Sequence, residues 1–282
     1  MTLLISWAGV DTHGPSSVYI ATDSRISWGG GKYFDGSIKT FTTKIVPAII
    51  GYCGDSPAAL MAIYQCAEVI DRVGIKNINH ELSLYEIKAV FQDVLGSGYS
   101  SYPKGHEYFA GLIEIIVAVK FQSKFHVGVF SLDRNGKFNF EEFDMPGQRS
   151  GLITSRGSGK IKFDENLQRY LSKIENRNTS RTVFHAFVDS IKNDPNPGVG
   201  GAPQVVGIYR KKNSLGLVIG LVFNDECYMM GQRVSRVTLE KGIEVERWFN
   251  ENFELTNPHS KSRHKDAQIQ PDQLRRDKQA SP

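Results

Sequence analysis

The second residue of the chain could carry hydrolytic chemistry. Thr2 directly follows the initiator Met1, and threonine is small enough for methionine aminopeptidase to remove the methionine before it. The new terminus would then hold a hydroxyl and a free α-amine on one residue. An α-amine has a pKa of about 7.7–8.0, so it can take the hydroxyl proton near neutral pH and activate the oxygen as a nucleophile. The alternative is that Thr2 merely opens an apolar strand.

Three further residues follow Thr2 in an informative order. Asp23 ends an apolar run, Lys39 lies further along the chain, and Gly54 closes a second apolar run. Taken with Thr2, this ordered set resembles the proteasome β-type family of N-terminal nucleophile (Ntn) hydrolases, most of all its bacterial HslV-type members. The resemblance is good over residues 2–75, weaker as far as about residue 223 and absent in the tail. It implies an α+β fold, namely a four-layer αββα sandwich of two antiparallel sheets flanked by helices.

The resemblance also implies a role for each matching residue. Thr2 would be the nucleophile, and the positive charge of Lys39 would keep the terminal amine neutral and stabilise the developing alkoxide. Asp23 would pair with Lys39 and hold its position. The backbone N–H of Gly54 would bind the oxyanion, and Ser158, in a Gly-Ser-Gly turn, would contact the terminal amine. Without the family pattern, Asp23 and Lys39 would be an exposed ion pair worth about 0–1 kcal/mol.

Supporting roles fall on residues around this set. Arg25 belongs to the same A-x-D-x-R-like stretch as Asp23, and Gly200 begins a pair of glycines that the family also has. Before those glycines the family usually has an aspartate and a serine, whereas this chain has Asn196 and Val199. The asparagine side chain carries no charge and the valine side chain makes no hydrogen bond, so this departure removes a carboxylate and a hydroxyl from the supporting network. Asp194 would substitute after a shift of register.

The residues before Gly54 are candidates for the substrate pocket. Tyr52 and Cys53 would line the space for the substrate side chain, with Tyr52 narrowing it. The glycine-rich stretch 156–160 has a rival interpretation as a phosphate loop. That interpretation fails because Ile161 stands where such a loop requires Ser or Thr, and the first glycine is missing.

Composition excludes several classes of partner. The chain has 282 residues and a net charge of +4, of which the tail 256–282 supplies six basic and three acidic residues, or +3. The rest of the chain therefore has a net charge near +1 and no basic stripe, which gives no reason to expect nucleic-acid binding. No apolar run approaches the ~20 residues of a membrane span. Three widely spaced cysteines and scattered histidines indicate neither a disulfide framework nor a metal site, and no cofactor is implied.

The pattern of elements predicts strands, two helices, strands, two helices and strands. Such an order favours antiparallel sheets with helices on their outer faces. Residues 2–8 and 17–23 are expected to form a hairpin, and residues 226–253 a weak strand with a short helix around 243–249. We expect one Ntn-hydrolase domain over residues 1–255 and a disordered polar tail over 256–282. No secretory signal is evident, so a cytoplasmic setting is expected.

These patterns predict a threonine-type endopeptidase that cleaves peptide bonds after loss of Met1. The resemblance further implies a homo-oligomeric ring and an ATP-dependent unfoldase as a partner, with a peptide or protein as substrate. Two alternatives stay open. The chain could be an inactive scaffold subunit of the same fold, or a related amidase that acts on a small non-peptide amide.

Overall fold

A computed structural model describes residues 2–28, 31–99, 102, 112–173, 178–193, 196–211, 214–243 and 245–267. The strands in these ranges are β1 (Leu4–Asp11), β2 (Gly14–Thr22), β3 (Ile26–Trp28), β4 (Lys32–Phe34), β5 (Thr40–Thr42), β6 (Ala48–Gly54), β7 (Ile113–Phe121), β8 (Lys124–Leu132), β9 (Phe138–Phe143), β10 (Gly151–Arg156), β11 (Gln204–Tyr209), β12 (Leu217–Phe223), β13 (Glu226–Met229), β14 (Gln232–Arg233) and β15 (Trp248–Asn250). The helices are α1 (Ser56–Gly74), α2 (Leu84–Phe91), α3 (Lys160–Leu171), α4 (Ser180–Asn193) and α5 (Arg236–Glu240).

Two large sheets organise the described part of the chain. The larger sheet has the order β10-β1-β2-β11-β12-β13-β14, with β15 joining β12 in parallel, and every other pairing in it is antiparallel. The second sheet has the antiparallel order β5-β6-β7-β8-β9. The predicted hairpin of residues 2–8 and 17–23 is confirmed as β1 and β2. The chain is therefore a mixed α+β protein built on antiparallel sheets.

Three of the four apolar clusters in the described ranges join the two large sheets to each other and to helices α1–α4. One lies between the sheets and joins β1, β2 and β11 to β6, β7 and β8. A second joins the five-stranded sheet to α1 and α2. The third joins the larger sheet to α3 and α4. Because side chains alternate along a strand, Leu4 enters the cluster between the sheets while Ile5 enters the helical one. Strand β1 is thus buried on both faces, and Thr2 lies two residues before its first residue.

Local sequence signals explain where the first two helices begin. Asp55 caps α1, since its side chain accepts a hydrogen bond from the N–H of Ala58 at 3.0 Å. Ser83 and Glu86 form a reciprocal capping box at the start of α2. Helix α2 passes directly into a π-helical segment, Gln92–Gly98. No helix in the described ranges is long and apolar enough to cross a membrane.

The helix expected around residues 243–249 is wrong. The helix of this region is α5, whose N-cap Ser235 accepts a hydrogen bond from the N–H of Thr238. Trp248 instead belongs to β15 and lies opposite Gly220 of β12. A Cβ atom on Gly220 would lie 2.4 Å from the Trp248 ring, so this glycine makes room for the buried indole. Pairing with β12 therefore overrides the helical pattern of the segment.

The folded part of the chain extends beyond residue 256, where the composition predicts a disordered tail. The prediction of disorder from residue 256 is wrong for residues 256–267. Thr256 is buried and bridges Arg263, and the guanidinium of Arg263 lies 3.0 Å from Glu254. The thiol of Cys227 donates to the carbonyl of Pro258. Backbone and side-chain hydrogen bonds hold this segment, which has few aliphatic residues, and residues 268–282 lie outside the described ranges.

Candidate active site

The β1–β2 hairpin brings Thr2 next to Asp23. Its register pairs Leu4 with Thr22, so the residue before Leu4 lies opposite the residue after Thr22. The N–H of Leu3 accordingly donates to Asp23 Oδ1 at 3.0 Å. Thr2 is 2% exposed and Asp23 is 0% exposed. A nucleophile candidate and a carboxylate therefore share one buried corner of the larger sheet.

Lys39 enters this corner from the segment before β5. Its side chain is fully buried, and Nζ lies 2.7 Å from Thr2 Oγ1 and 3.2 Å from Asp23 Oδ1. The carbonyl of Arg25 is a third partner, at 2.5 Å. A lysine ammonium has three donors and no acceptor, so three oxygens around Nζ satisfy it completely. The structure thus brings together Thr2, Asp23 and Lys39 as the sequence predicts.

Burial opposes the charges of this pair. It lowers the pKa of Lys39 from its ordinary value of 10.5, while Asp23 acts in the opposite direction as a neighbouring carboxylate. Burial likewise raises the pKa of Asp23, against the effect of Lys39 and of the hydrogen bonds from Leu3 and Gly200. A lysine with a lowered pKa, held beside a hydroxyl, can exchange a proton more readily than a surface lysine.

The second oxygen of Asp23 is held by backbone groups. The N–H groups of Arg25 and Gly200 each donate to Asp23 Oδ2 at 3.2 Å. The guanidinium of Arg25 turns away and pairs with Asp35 through Nε at 2.6 Å and Nη2 at 2.7 Å. Arg25 and Gly200 therefore support the site mainly through their main chains. Their predicted supporting positions agree with this geometry.

A turn after β10 closes over Thr2. The hydroxyl of Ser158 accepts a hydrogen bond from the backbone nitrogen of Thr2 at 3.3 Å, and the N–H of Gly159 donates to the carbonyl of Thr2 at 3.2 Å. Gly157 has φ +85°, and a Cβ atom there would lie 2.2 Å from the carbonyl oxygen of Thr2. Only glycine fits this close approach. The Gly-Ser-Gly turn is thus built around the start of β1.

An open cleft of about 630 Å³ lies beside Thr2. Gly54, at the end of β6, lines the cleft together with Thr2 and Ser158. Gly54 has φ +108°, and any Cβ would collide with the carbonyl of Leu112 at 2.0 Å. Backbone of this conformation, with no side chain in the way, lets a ligand approach the main chain closely. The predicted oxyanion residue therefore lies in the same cleft as the predicted nucleophile.

Of the two proposed pocket residues, Cys53 lies in the cleft and Tyr52 does not. Cys53 lines the cleft, and its thiol donates to Glu114 Oε2 at 3.5 Å. Burial raises the pKa of this thiol well above its ordinary value, with Glu114 adding to the effect. Tyr52 does not line the cleft, so its predicted role there is wrong. It is fully buried under α1, where its hydroxyl donates to the carbonyl of Ile38 at 3.3 Å. Neighbouring residues of a strand face opposite sides, which explains the difference.

Asn196 and Val199 close a turn before Gly200. Asn196 Oδ1 accepts from the N–H of Gly198 at 2.9 Å, and its carbonyl accepts from the N–H of Val199 at 3.1 Å. The Val199 side chain packs into the cluster between the larger sheet and its helices. Asn196 therefore shapes the turn rather than carrying charge to the site. Asp194, the alternative that a shift of register would offer, lies outside the described residues.

Gln204 and a group of charges in the cleft are absent from the sequence prediction. Gln204 is buried at the start of β11, where its side chain reaches the main chain of both Asp23 and Lys39. In the cleft, Arg156 lies 3.4 Å from Glu114 and 2.7 Å from Glu141. Arg156 begins the glycine-rich stretch 156–160, whereas Gln204, Glu114 and Glu141 belong to no recognisable motif. A buried glutamine in an apolar strand is the one signal that could have drawn attention.

The fold and site define an α+β protein with a buried threonine–lysine–aspartate group at the edge of an open cleft. No family model matches the chain, and a search of the curated proteins gives no match either. No cluster of three or more metal-ligating side chains occurs among the described residues.

Proposed function

We propose that the chain is an N-terminal threonine hydrolase, of the threonine-type endopeptidase class, that becomes active once Met1 is removed. The observation that carries this proposal is the 2.7 Å contact between Lys39 Nζ and Thr2 Oγ1 in a buried site completed by Asp23. A fully buried lysine and aspartate carry a large desolvation cost. A buried ion pair whose lysine contacts a threonine hydroxyl beside a cleft is typical of a catalytic arrangement rather than a structural one.

The proposed reaction is acyl transfer through Thr2. The freed α-amine takes the proton of Oγ1, directly or through a water, and the oxygen attacks the carbonyl carbon of the substrate. The Lys39 ammonium stabilises the alkoxide, and the Gly54 N–H donates to the oxyanion of the tetrahedral intermediate. The peptide C–N bond then breaks, and the proton on the α-amine passes to the leaving amine. Water hydrolyses the ester and restores the hydroxyl.

The proposal extends to the architecture and the setting of the protein. Three apolar clusters between successive helical and sheet elements support a four-layer αββα sandwich of the Ntn-hydrolase type. By the same resemblance we propose a homo-oligomeric ring, an ATP-dependent unfoldase as partner and a cytoplasmic location. The substrate would be a peptide or an unfolded protein that reaches the cleft beside Thr2.

The decisive experiment measures the N-terminus and the nucleophile together. Intact-mass analysis of the purified full chain should show loss of Met1, because a retained methionine blocks the amine. Thr2→Ala should abolish peptide cleavage and labelling by a threonine-directed epoxyketone while far-UV circular dichroism shows that the fold is retained. Thr12→Ala, in the exposed β1–β2 turn, is the matched control and should keep full activity. Activity that survives Thr2→Ala would end the proposal.

One observation favours a second candidate, an inactive scaffold subunit of the same fold. Val199 is buried where the resemblance calls for a serine, and Asn196 Oδ1 is bonded within its own turn. A scaffold would show no epoxyketone labelling even after loss of Met1. Restoring the family residues as Asn196→Asp with Val199→Ser would then raise labelling from zero. If the wild-type chain is labelled, the scaffold candidate is excluded.

A further inference from the structure

Gln204 makes polar contacts with the main chains of Asp23 and Lys39, the buried ion pair beside Thr2. Its Oε1 accepts a hydrogen bond from the backbone N–H of Lys39 at 3.0 Å. Its Nε2 donates to the carbonyl of Asp23 at 3.2 Å and to the carbonyl of Ser37 at 2.7 Å. The side chain is 1% exposed, so its amide exchanges none of these partners for bulk water.

The orientation of this amide is determined by its partners. The carbonyls of Asp23 and Ser37 can only accept hydrogen bonds, while the N–H of Lys39 can only donate. The nitrogen of the amide must therefore face Asp23 and Ser37, and the oxygen must face Lys39. Among the neutral side chains only glutamine and asparagine offer two donors and an acceptor on one head group. Asparagine is one methylene shorter and would not span the same distance.

We infer that Gln204 is a positioning residue that holds the Lys39 ammonium against Thr2 Oγ1. Strand β11 pairs with β2, with Gln204 opposite Thr22, so its side chain starts from a rigid neighbour of Asp23. From there the amide ties down residues 37 and 39, which lie outside the large sheets. Lys39 precedes the short strand β5 and has to deliver its side chain through the core, so its backbone needs a fixed anchor. The inference rests on the proposed function.

The inference is tested by the rate of Thr2 labelling. The full chain without Met1 is reacted with a threonine-directed epoxyketone, and the maximal rate is separated from the half-saturation concentration. Gln204→Met keeps the length of the side chain but offers neither the amide donors nor the amide oxygen. It should lower the maximal rate on the order of 10²-fold, because misplacement of a catalytic group by about 1 Å costs that much. The half-saturation concentration should change little, because Gln204 does not line the cleft.

A second variant distinguishes positioning from general destabilisation. Gln204→Glu keeps the length, but its ionised carboxylate would face the carbonyls of Asp23 and Ser37. The ratio of its labelling rate to that of the wild type should fall as the pH rises through the pKa of the introduced carboxyl. A ratio that stays constant over the pH range would overturn the assignment. The control Ser190→Ala removes a buried hydrogen bond from Asn166 in the helical layer and should leave the maximal rate unchanged.

A third measurement separates failure of this inference from failure of the proposed function. If wild-type Thr2 is not labelled, the proposed function fails. Hydrogen exchange of the Lys39 backbone amide then tests whether Gln204 holds Lys39 in place. Protection that is present in the wild type and lost in Gln204→Met supports the hold on Lys39. Equal protection in both, or equal labelling rates where labelling occurs, would overturn it.

Discussion

Replacing Asp23 with asparagine should be far more costly than its small change in size suggests. The carboxylate accepts from Leu3 N and Lys39 Nζ on Oδ1, and from Arg25 N and Gly200 N on Oδ2. An asparagine turns one of these oxygens into an NH₂ group that faces two donors. It also leaves the buried Lys39 ammonium without its counter-charge. Breaking a buried ion pair in this way costs about 3–5 kcal/mol.

That cost is a large share of the ~5–15 kcal/mol that stabilises a typical domain. Urea unfolding of Asp23→Asn should show a lower midpoint with an unchanged m value. Asp35→Asn is the matched control, since Asp35 also pairs with a basic residue, Arg25, but its side chain is 42% exposed. The control should cost no more than about 1 kcal/mol.

The refuting result is a cost for Asp23→Asn as small as that of the control. It would mean that the Asp23 carboxyl is already neutral in the folded protein, as burial alone would favour. The double variant Asp23→Asn/Lys39→Met tests whether Lys39 is charged in the folded protein. If Lys39 is charged, removing it recovers part of the loss, because no unpaired ammonium then stays buried. A purely additive double variant would contradict the ion pair.

Three further predictions concern the surroundings of Thr2. Gly157→Ala should reduce epoxyketone labelling on the order of 10²-fold, because the new Cβ displaces the Thr2 carbonyl, whereas Gly147→Ala, with open space around it, should not. The alkaline limb of the pH–kcat profile should lie below pH 10.5, because burial lowers the pKa of Lys39 and the neutral amine no longer stabilises the alkoxide. The pH profile of Lys39→Arg should lack this limb. All three cysteines should react slowly with a thiol reagent in the native protein and fully in denaturant, because burial raises each thiol pKa.

Local signals predict the parts of the fold that depend on near neighbours in the chain. The capping box at Ser83 and the cap at Asp55 define helix starts without reference to the rest of the protein. The β1–β2 hairpin follows from a polar turn between two apolar runs. This hairpin alone brings Asp23 to Thr2, so half of the candidate site is encoded within the first twenty-three residues. Short-range physics suffices for that half.

Long-range pairing decides the parts that sequence patterns miss. Trp248 joins β15 because Gly220 of a distant strand leaves room for its indole. Residues 256–267 stay folded because they find partners such as Glu254 and Cys227. Tyr52 faces away from the cleft because of the strand alternation at the end of β6, which depends on its register with β7. None of these partners is visible from the residues themselves.

The departure at Asn196 and Val199 illustrates why side-chain patterns are a weak measure of this site. The N–H of Gly200 donates to Asp23 from a distant segment of the chain, and this N–H is present whatever side chain precedes it. What the turn requires is a backbone path that brings this N–H to the carboxylate. Asn196 supplies it by accepting from the N–H of Gly198, and the buried Val199 anchors the turn on the helical cluster. A charge lost from the pattern therefore leaves the anchoring of Asp23, and through it that of Lys39, in place.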